Sequence, residues 1–266
     1  MTQPDTLSPQ HIEKSLFGSS IGQRIIYYPR IDSTNRAARA FALQSKSHGW
    51  VVLADEQSAG RGRLDRIWES QAGEDILASI IVHPQLPAAD SFRLTMIASI
   101  AVVLAVEQVC GIVCGIKWPN DIFLNGKKLC GILSEGQCES DRIQFMVIGI
   151  GLNVNSNMSD QKELAGSAIS LRDATGQQHD RNALTIAILE NFNRLYATAD
   201  NEGEQIRSLW EKHAMMLGRK VSVHSDNAVL NGIACGIMPD GRLIVRESFG
   251  REHLIVCGDL SLKLDQ

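Results

Sequence analysis

The sequence predicts an α+β fold: a mixed, mainly antiparallel sheet flanked by helices, followed by a small β-barrel. Three observations predict it. β-branched and aromatic runs alternate with helical runs through the first 216 residues. Asn125-Gly126, a strong type I′ turn signal, joins two strand-like runs, so Asp121–Leu124 and 128–135 should pair antiparallel. After Leu217 the period changes, and five short alternating runs follow in about 50 residues. The boundary falls near 216, with domains over 1–216 and 217–266.

The elements follow in order. Residues 1–22 are polar with an apolar patch at Ile12, Leu16 and Phe17, enough for one short helix ended by Gly18 and Gly22. Arg24–Tyr28 reads as a strand stopped by Pro29. Asp32, Ser33 and Thr34 are N-cap residue types before a helix over 35–44, with Ala38, Phe41 and Ala42 on one face. Capping and ligand contact are both open to Ser33 and Thr34, because a helix N-terminus also offers N–H groups and a positive dipole end. Trp50–Ala54 is a buried strand, and Ile76–Val82 is the next. Between them runs a long polar loop, a length that in a compact domain points to function or disorder. A helix over 91–110 is apolar on most sides and belongs in the middle of the fold. Arg142–Leu152 is another strand, whose Gly149 and Gly151 suggest close approach of backbone or ligand. Amphipathic helices cover 182–197 and 202–212. The last runs are 220–223, 228–237, 242–246, 252–256 and 260–264.

Composition bounds the function. The 266 residues are 44% hydrophobic and 21% charged, ordinary for a globular chain. A net charge of −4 gives no general pull toward nucleic acid or anionic membrane. The most apolar stretch, Met96–Val106, is about half the ~20 residues of a membrane span. The N-terminus lacks a basic region followed by an apolar run, so no signal peptide is expected. The six cysteines include no C-x-x-C pair and read mostly as small buried hydrophobes, which suits a reducing cytoplasm.

Against this acidic background one basic stretch stands out: Gln57-Ser-Ala-Gly-Arg-Gly-Arg63, then Arg66 and Trp68. Its glycines let the backbone approach a ligand, and Arg61, Arg63 and Arg66 suit phosphate or carboxylate. The same composition also describes a plain solvated loop. Two further polar clusters adjoin strands: Asp32-Ser-Thr-Asn35, and Lys117-Trp-Pro-Asn-Asp121 with Lys128. Brought together, they form a pocket of cations and one carboxylate, suited to a polyphosphate with Asp121 available to Mg²⁺. No Walker loop occurs, and Gly149-Ile-Gly151 lacks the third glycine of a dinucleotide fingerprint.

These clusters, with Lys128-Leu-x-Gly-Ile-Leu133 and Gly149-x-Gly-Leu-Asn-Val-Asn155, stand in the order and at about the gaps of the biotin–protein ligases, which the chain resembles over about 18–265. The resemblance implies a class II aminoacyl-tRNA synthetase-like catalytic domain and an SH3-like C-terminal barrel. It implies two steps: biotin and MgATP give biotinyl-5′-AMP and pyrophosphate, then a lysine of a carboxylase's biotin carboxyl carrier domain takes the biotin and releases AMP. It also implies roles. Ser33, Thr34, Asn35, Gln57, Gly131 and Leu133 would surround biotin. Arg61, Gly62 and Arg63 would fold over it, with Arg63 at the reacting centre. Lys128, rather than Lys127, would reach the carboxylate and α-phosphate. Arg63, Trp68, Lys117, Asn120, Asp121 and Asn153 would serve ATP, with Asp121 also a candidate for the metal and for receiving or orienting the incoming lysine.

Two departures matter. Leu64-Asp65 replaces an Arg-Gly common in the family, which limits positive φ at the lost glycine, sets a carboxylate beside Arg63 and Arg66, and predicts weaker retention of the adenylate. Ala168-Ile-Ser-Leu171 falls in the segment that covers adenine in the family, where some members carry a Trp near Ala168 that is missing here, so stacking is lost there. About 20 residues precede the first strand, too few for the winged helix of the family's repressors, so a monofunctional enzyme without nucleic-acid or membrane partners is expected. A homodimer through sheet edges remains open. The alternatives are a lipoate or octanoate ligase, and a biotin-sensing regulator.

Overall fold

The structure is a computed structural model and describes residues 6–262 apart from 45, 161–163, 165, 200–201, 226–227 and 257. In chain order it runs α1 (Pro9–Ser15), β1 (Arg24–Tyr28), α2 (Thr34–Ala42), β2 (Trp50–Ala54), β3 (Ile76–Val82), α3 (Phe92–Cys110), β4 (Gly115–Lys117), β5 (Asp121–Leu124), β6 (Lys127–Glu139) and β7 (Arg142–Leu152). There follow α4 (Leu171–Thr175), α5 (Arg181–Tyr196), α6 (Gly203–His213), β8 (Lys220–Ser225), β9 (Ala228–Ile237), β10 (Leu243–Arg246), β11 (Glu252–Ile255) and β12 (Asp259–Leu262). β4 and α4, three and five residues long, are too short to carry a periodic signal and were not expected.

Strands β1 to β7 form one sheet in the order β1-β2-β3-β7-β6-β5-β4. Only β1 and β2 run parallel, joined through α2, so the sheet is mixed and mainly antiparallel as expected. Asn125 and Gly126 both take positive φ, as a type I′ turn requires. The period of two divides the sheet residues between two faces. Val51, Leu53, Ile80, Val82, Ile148 and Ile150 join the large core with α3 and α5. Val52, Ile81, Phe145 and Val147 pack instead beneath Ala38 and Ala42 of α2. Buried on both faces, β3 therefore reads as a continuous apolar run.

The helical stretch Ala88–Cys110 is long and apolar enough, by length and composition, to cross a bilayer. It exceeds the Met96–Val106 core seen in the sequence, and most of it is buried inside the fold as the central core helix. Of the cysteines, Cys114 and Cys130 are buried and Cys110 half-buried, but Cys138 and Cys235 are exposed. Burial pushes the Cys114 thiol up to about 12.

The five C-terminal strands make a second, antiparallel sheet in the order β11-β10-β9-β8-β12. Among the described residues β11 and β12 are its two ends, with no pairing between them, so closure into a barrel is not seen there. Val221, Val223, Ala234, Leu243, Val245 and Leu260 face inward and continue the main core. Trp118 donates its indole N–H to the Gly241 carbonyl at 3.0 Å, and Glu211 accepts from the Ile237 amide at 3.0 Å, so this sheet is tied to the first.

Candidate functional site

The register of the large sheet lays out the site. On its α2-facing side, Asp121, Gly131, Gly151 and Leu77 stand in one cross-strand row. Leu133, Gly149 and Ser79 form the next, and Glu135, Val147 and Ile81 the third. α2 covers the third row, while the loop between β2 and β3 swings over the first. The glycines make the depth. A Cβ on Gly149 would lie 2.3 Å from Asn35 Oδ1, and one on Gly151 would lie 2.5 Å from Trp68 Cε2. The two glycines read from sequence as sites of close approach thus admit Asn35 and Trp68.

The resulting cavity, about 420 Å³, is lined by all the candidate residues: Ser33, Thr34, Asn35, Gln57, Arg61, Gly62, Arg63, Trp68, Lys117, Asn120, Asp121, Lys128, Gly131, Leu133 and Asn153. Lys127 is not among the lining residues, and a β-bulge explains why. Pairing shifts between Ile122 and Phe123, so Phe123 pairs with Lys128 while Ile122 pairs with Cys130. Leu129 and Cys130 both turn into the core. The extra residue re-aims Lys128 onto the cavity face.

The cavity has two chemical ends. At the polar head, Gln57 Oε1 accepts from the Thr34 amide at 2.7 Å and from Thr34 Oγ1 at 3.0 Å. An amide N–H only donates, so the Gln57 atom facing it is the carbonyl oxygen. Ser33 occupies the N-cap position of α2 without making a capping bond, which leaves its hydroxyl to the cavity. At the cationic end, Lys128 Nζ lies 2.7 Å from Asp121 Oδ1 and 5.7 Å from the Trp68 ring centre. Arg63 donates to Asn120 Oδ1 at 3.0 Å, and Asn120 donates to the Ile132 carbonyl at 2.5 Å. Asn120 therefore bridges the loop and β6 rather than merely capping a turn. Burial holds the Lys117 ammonium below its ordinary range, and its Nζ rests 4.8 Å from the Phe123 ring centre. Trp68 Nε1 is buried with no hydrogen-bond partner among the described residues.

Several lining residues escaped the sequence reading. Asp259 and Leu260 of β12 reach the cavity from the second sheet, and Asp259 pairs with Arg66. No local signal marks them, since their place follows from how the two sheets pack. Leu164 and Ser167 close another wall beside Ala168, which the sequence itself singles out, and Lys128 exchanges backbone bonds with Ser167 and Ile169. The expectation for Leu64-Asp65 shifts by one position. Leu64 holds the positive φ, 54°, and Asp65 is not among the positive-φ residues. The Asp65 side chain lies outside the described residues. Among the described residues no cluster of three His, Cys, Asp or Glu is placed to hold a metal.

Residues 27–153 match the Biotin/lipoate A/B protein ligase family. The bifunctional ligase/repressor BirA of Bacillus subtilis is 38% identical over 250 residues, spanning 93% of this chain and 77% of that protein. The biotin–[acetyl-CoA-carboxylase] ligase of Paracoccus denitrificans is 34% identical, over 84% of this chain and 94% of that one. A biotin protein ligase from Aquifex aeolicus, solved with biotin and ATP, superposes with a TM-score of 0.77 at 25% identity, covering 91% of this chain and 99% of that one.

Proposed function

The chain belongs to the biotin–protein ligases of the biotin/lipoate A/B protein ligase family, and from that premise we propose how its cavity works. The protein is an ATP-dependent ligase that biotinylates a lysine of a carboxylase's carrier domain. Its named relatives favour this reading over a lipoate ligase. The observation that carries it is one cavity with a hydrogen-bonding head, Thr34 and Gln57, and a cationic end, Arg63 and Lys128. Biotin has the matching anatomy, a ureido ring at one end and a carboxylate at the other.

The head residues Ser33, Thr34, Asn35 and Gln57 hold the ureido ring, and Gly131 and Leu133 line its path to the cationic end. A carboxylate oxygen of biotin attacks the α-phosphorus of ATP, the bond to the β-phosphate oxygen breaks, and pyrophosphate leaves. Negative charge gathers there, and Lys128 and Arg63 stabilise it as fixed cations. Arg61 and Gly62 belong to the lid over this centre. Lys117, Asn120, Asn153 and the Trp68 indole N–H bind the nucleotide. Mg²⁺ bound with the triphosphate would screen its charge. Asp121 is the carboxylate suited to it, since Mg²⁺ commonly takes one or two carboxylates plus substrate phosphates. In the second step the acceptor amine attacks the acyl carbon of biotinyl-5′-AMP and AMP leaves. Asp121 orients that amine and receives its proton.

We read residues 1–216 as a class II aminoacyl-tRNA synthetase-like catalytic domain and 217–266 as an SH3-like barrel. The protein works in the cytoplasm, independently of nucleic acid and membrane, and strand β1, a sheet edge, is a route to a homodimer. The test is ATP-dependent transfer of biotin to a carboxylase carrier domain, with lipoate as the control acid. Labelling with biotin alone supports the proposal. Folded protein that transfers none refutes it.

A further inference from the structure

Glu135 lies on β6, two residues beyond Leu133, the last candidate site residue on that strand, and no motif marks it. Its carboxylate is nevertheless held from two sides. Oε2 accepts from Asn35 Nδ2 at 2.8 Å, and Oε1 lies 3.2 Å from Arg61 Nη1. Asn35 belongs to the head of the cavity and Arg61 to the loop above it.

The contacts continue into a circuit. Asn35 Oδ1 accepts from Ser79 Oγ at 2.7 Å, and the same hydroxyl lies 2.8 Å from Thr34 Oγ1. Thr34 bonds Gln57, which lies on the same loop as Arg61. The path Gln57–Thr34–Ser79–Asn35–Glu135–Arg61 therefore leaves the loop and returns to it through the floor of the head pocket. Thr34, Asn35 and Ser79 are buried, so their polar atoms depend on one another for partners. The sheet makes the circuit possible: Glu135, Val147 and Ile81 share a row, and Gly149 leaves room for Asn35 in the row beside it.

We propose that Glu135 is a positioning residue for the lid: its carboxylate couples Arg61 of the loop to Asn35 of the head pocket. Filling the head pocket and closing the lid become one event. Glu135 acts on biotin through Arg61 and Asn35, without touching the reacting atoms. This deepens the proposed function and rests on it.

The experiment compares Glu135→Gln with wild type for biotin binding by calorimetry, the KM for ATP, and release of biotinyl-5′-AMP. Gln keeps an acceptor for Asn35 but loses the charge facing Arg61. The Glu135 side chain is 25% exposed, so the change leaves the fold intact, which the unfolding midpoint verifies. Biotin affinity should fall roughly 5-fold and release accelerate by a similar factor, the upper size of one partly exposed ion pair. The KM for ATP should stay within about 2-fold, a split that general loosening of the site does not give. In an R61Q background E135Q should become nearly silent, because the partner through which it acts is gone. Wild-type affinity and release in E135Q, or equal losses in both backgrounds, overturn the inference alone. Wild-type protein that binds no biotin overturns the proposed function and this inference with it.

Discussion

Arg181 donates to Asp55 Oδ1 at 2.8 Å while lying 1% exposed, and the same nitrogen reaches the Asp75 carbonyl at 3.2 Å. Asp55 and Asp75 are the two roots of the loop that carries Gln57 to Trp68. One guanidinium from the first residue of α5 thus holds both ends of that loop. Tyr27 adds its hydroxyl to Asp55 at 2.5 Å, and burial pushes that hydroxyl up to about 12, so it remains a donor. Removing one partner of a buried pair strands the other charge, at about 3–5 kcal/mol. Arg181→Leu should therefore lower the unfolding midpoint by roughly 10 °C. A midpoint within about 2 °C of wild type would show that the pair is not needed to hold the loop roots.

Asp75 is fully buried, and its carboxylate accepts from the Val154 amide at 2.9 Å and from Ser156 Oγ at 2.5 Å. Burial is the largest influence and raises it from 3.8 to about 6. The folded chain then keeps this proton to higher pH than the unfolded chain. The stability it contributes is present below about pH 4 and is lost as pH rises toward 6, by up to roughly 3 kcal/mol. Asp75→Asn cannot titrate. The stability of wild type relative to this variant should fall between pH 4 and 7, as followed by denaturant unfolding. A difference constant with pH contradicts the assignment.

Gly151→Ala tests the depth of the cavity. The new Cβ would meet Trp68 carbons and nitrogen at 2.5 to 2.8 Å, and the indole must move. Overpacking costs about 1–3 kcal/mol. Because Trp68 sits on a loop while Gly151 sits within β7, most of this should appear as weaker ATP binding, with a change in tryptophan emission. Unchanged ATP affinity would place the nucleotide away from Trp68.

Leu64 occupies a left-handed conformation that disfavours a side chain by about 1–2 kcal/mol. Leu64→Gly should relieve it, slow release of biotinyl-5′-AMP several-fold, and leave the acceptor reaction rate little changed. Asp65→Gly should not give that gain, since Asp65 is not a positive-φ position. Release measured by filtration with labelled biotin separates the two.

Lys128→Ala should cut adenylate formation by about 10²–10³, the scale of one fixed charge at a developing anion. Lys127→Ala should change it less than 3-fold. Pyrophosphate exchange reads both. Equal losses would mean that both lysines serve the centre.

The contrast between these neighbours marks what the chain shows locally and what it does not. β-branched runs, the Asn125-Gly126 turn, the apolar helix and the arginine-glycine loop are local properties, written in residues within a few positions of one another. The C-terminal strands were legible for the same reason. The family's motifs also brought the candidate residues out of the sequence, though without their contacts. Lys128 and Lys127 have the same chemistry, and strict alternation back from Gly131 would put Lys127 on the cavity face. The bulge at Leu129 reverses that choice, and a bulge belongs to the pairing of two strands. Glu135, Ser79, Arg181 and Asp259 are of the same kind. Each is an ordinary polar residue in its own segment, and each acquires its place from register or packing against residues dozens to nearly two hundred positions away. Tertiary structure alone decided those places, because hydrogen bonding and burial are set by neighbours in space.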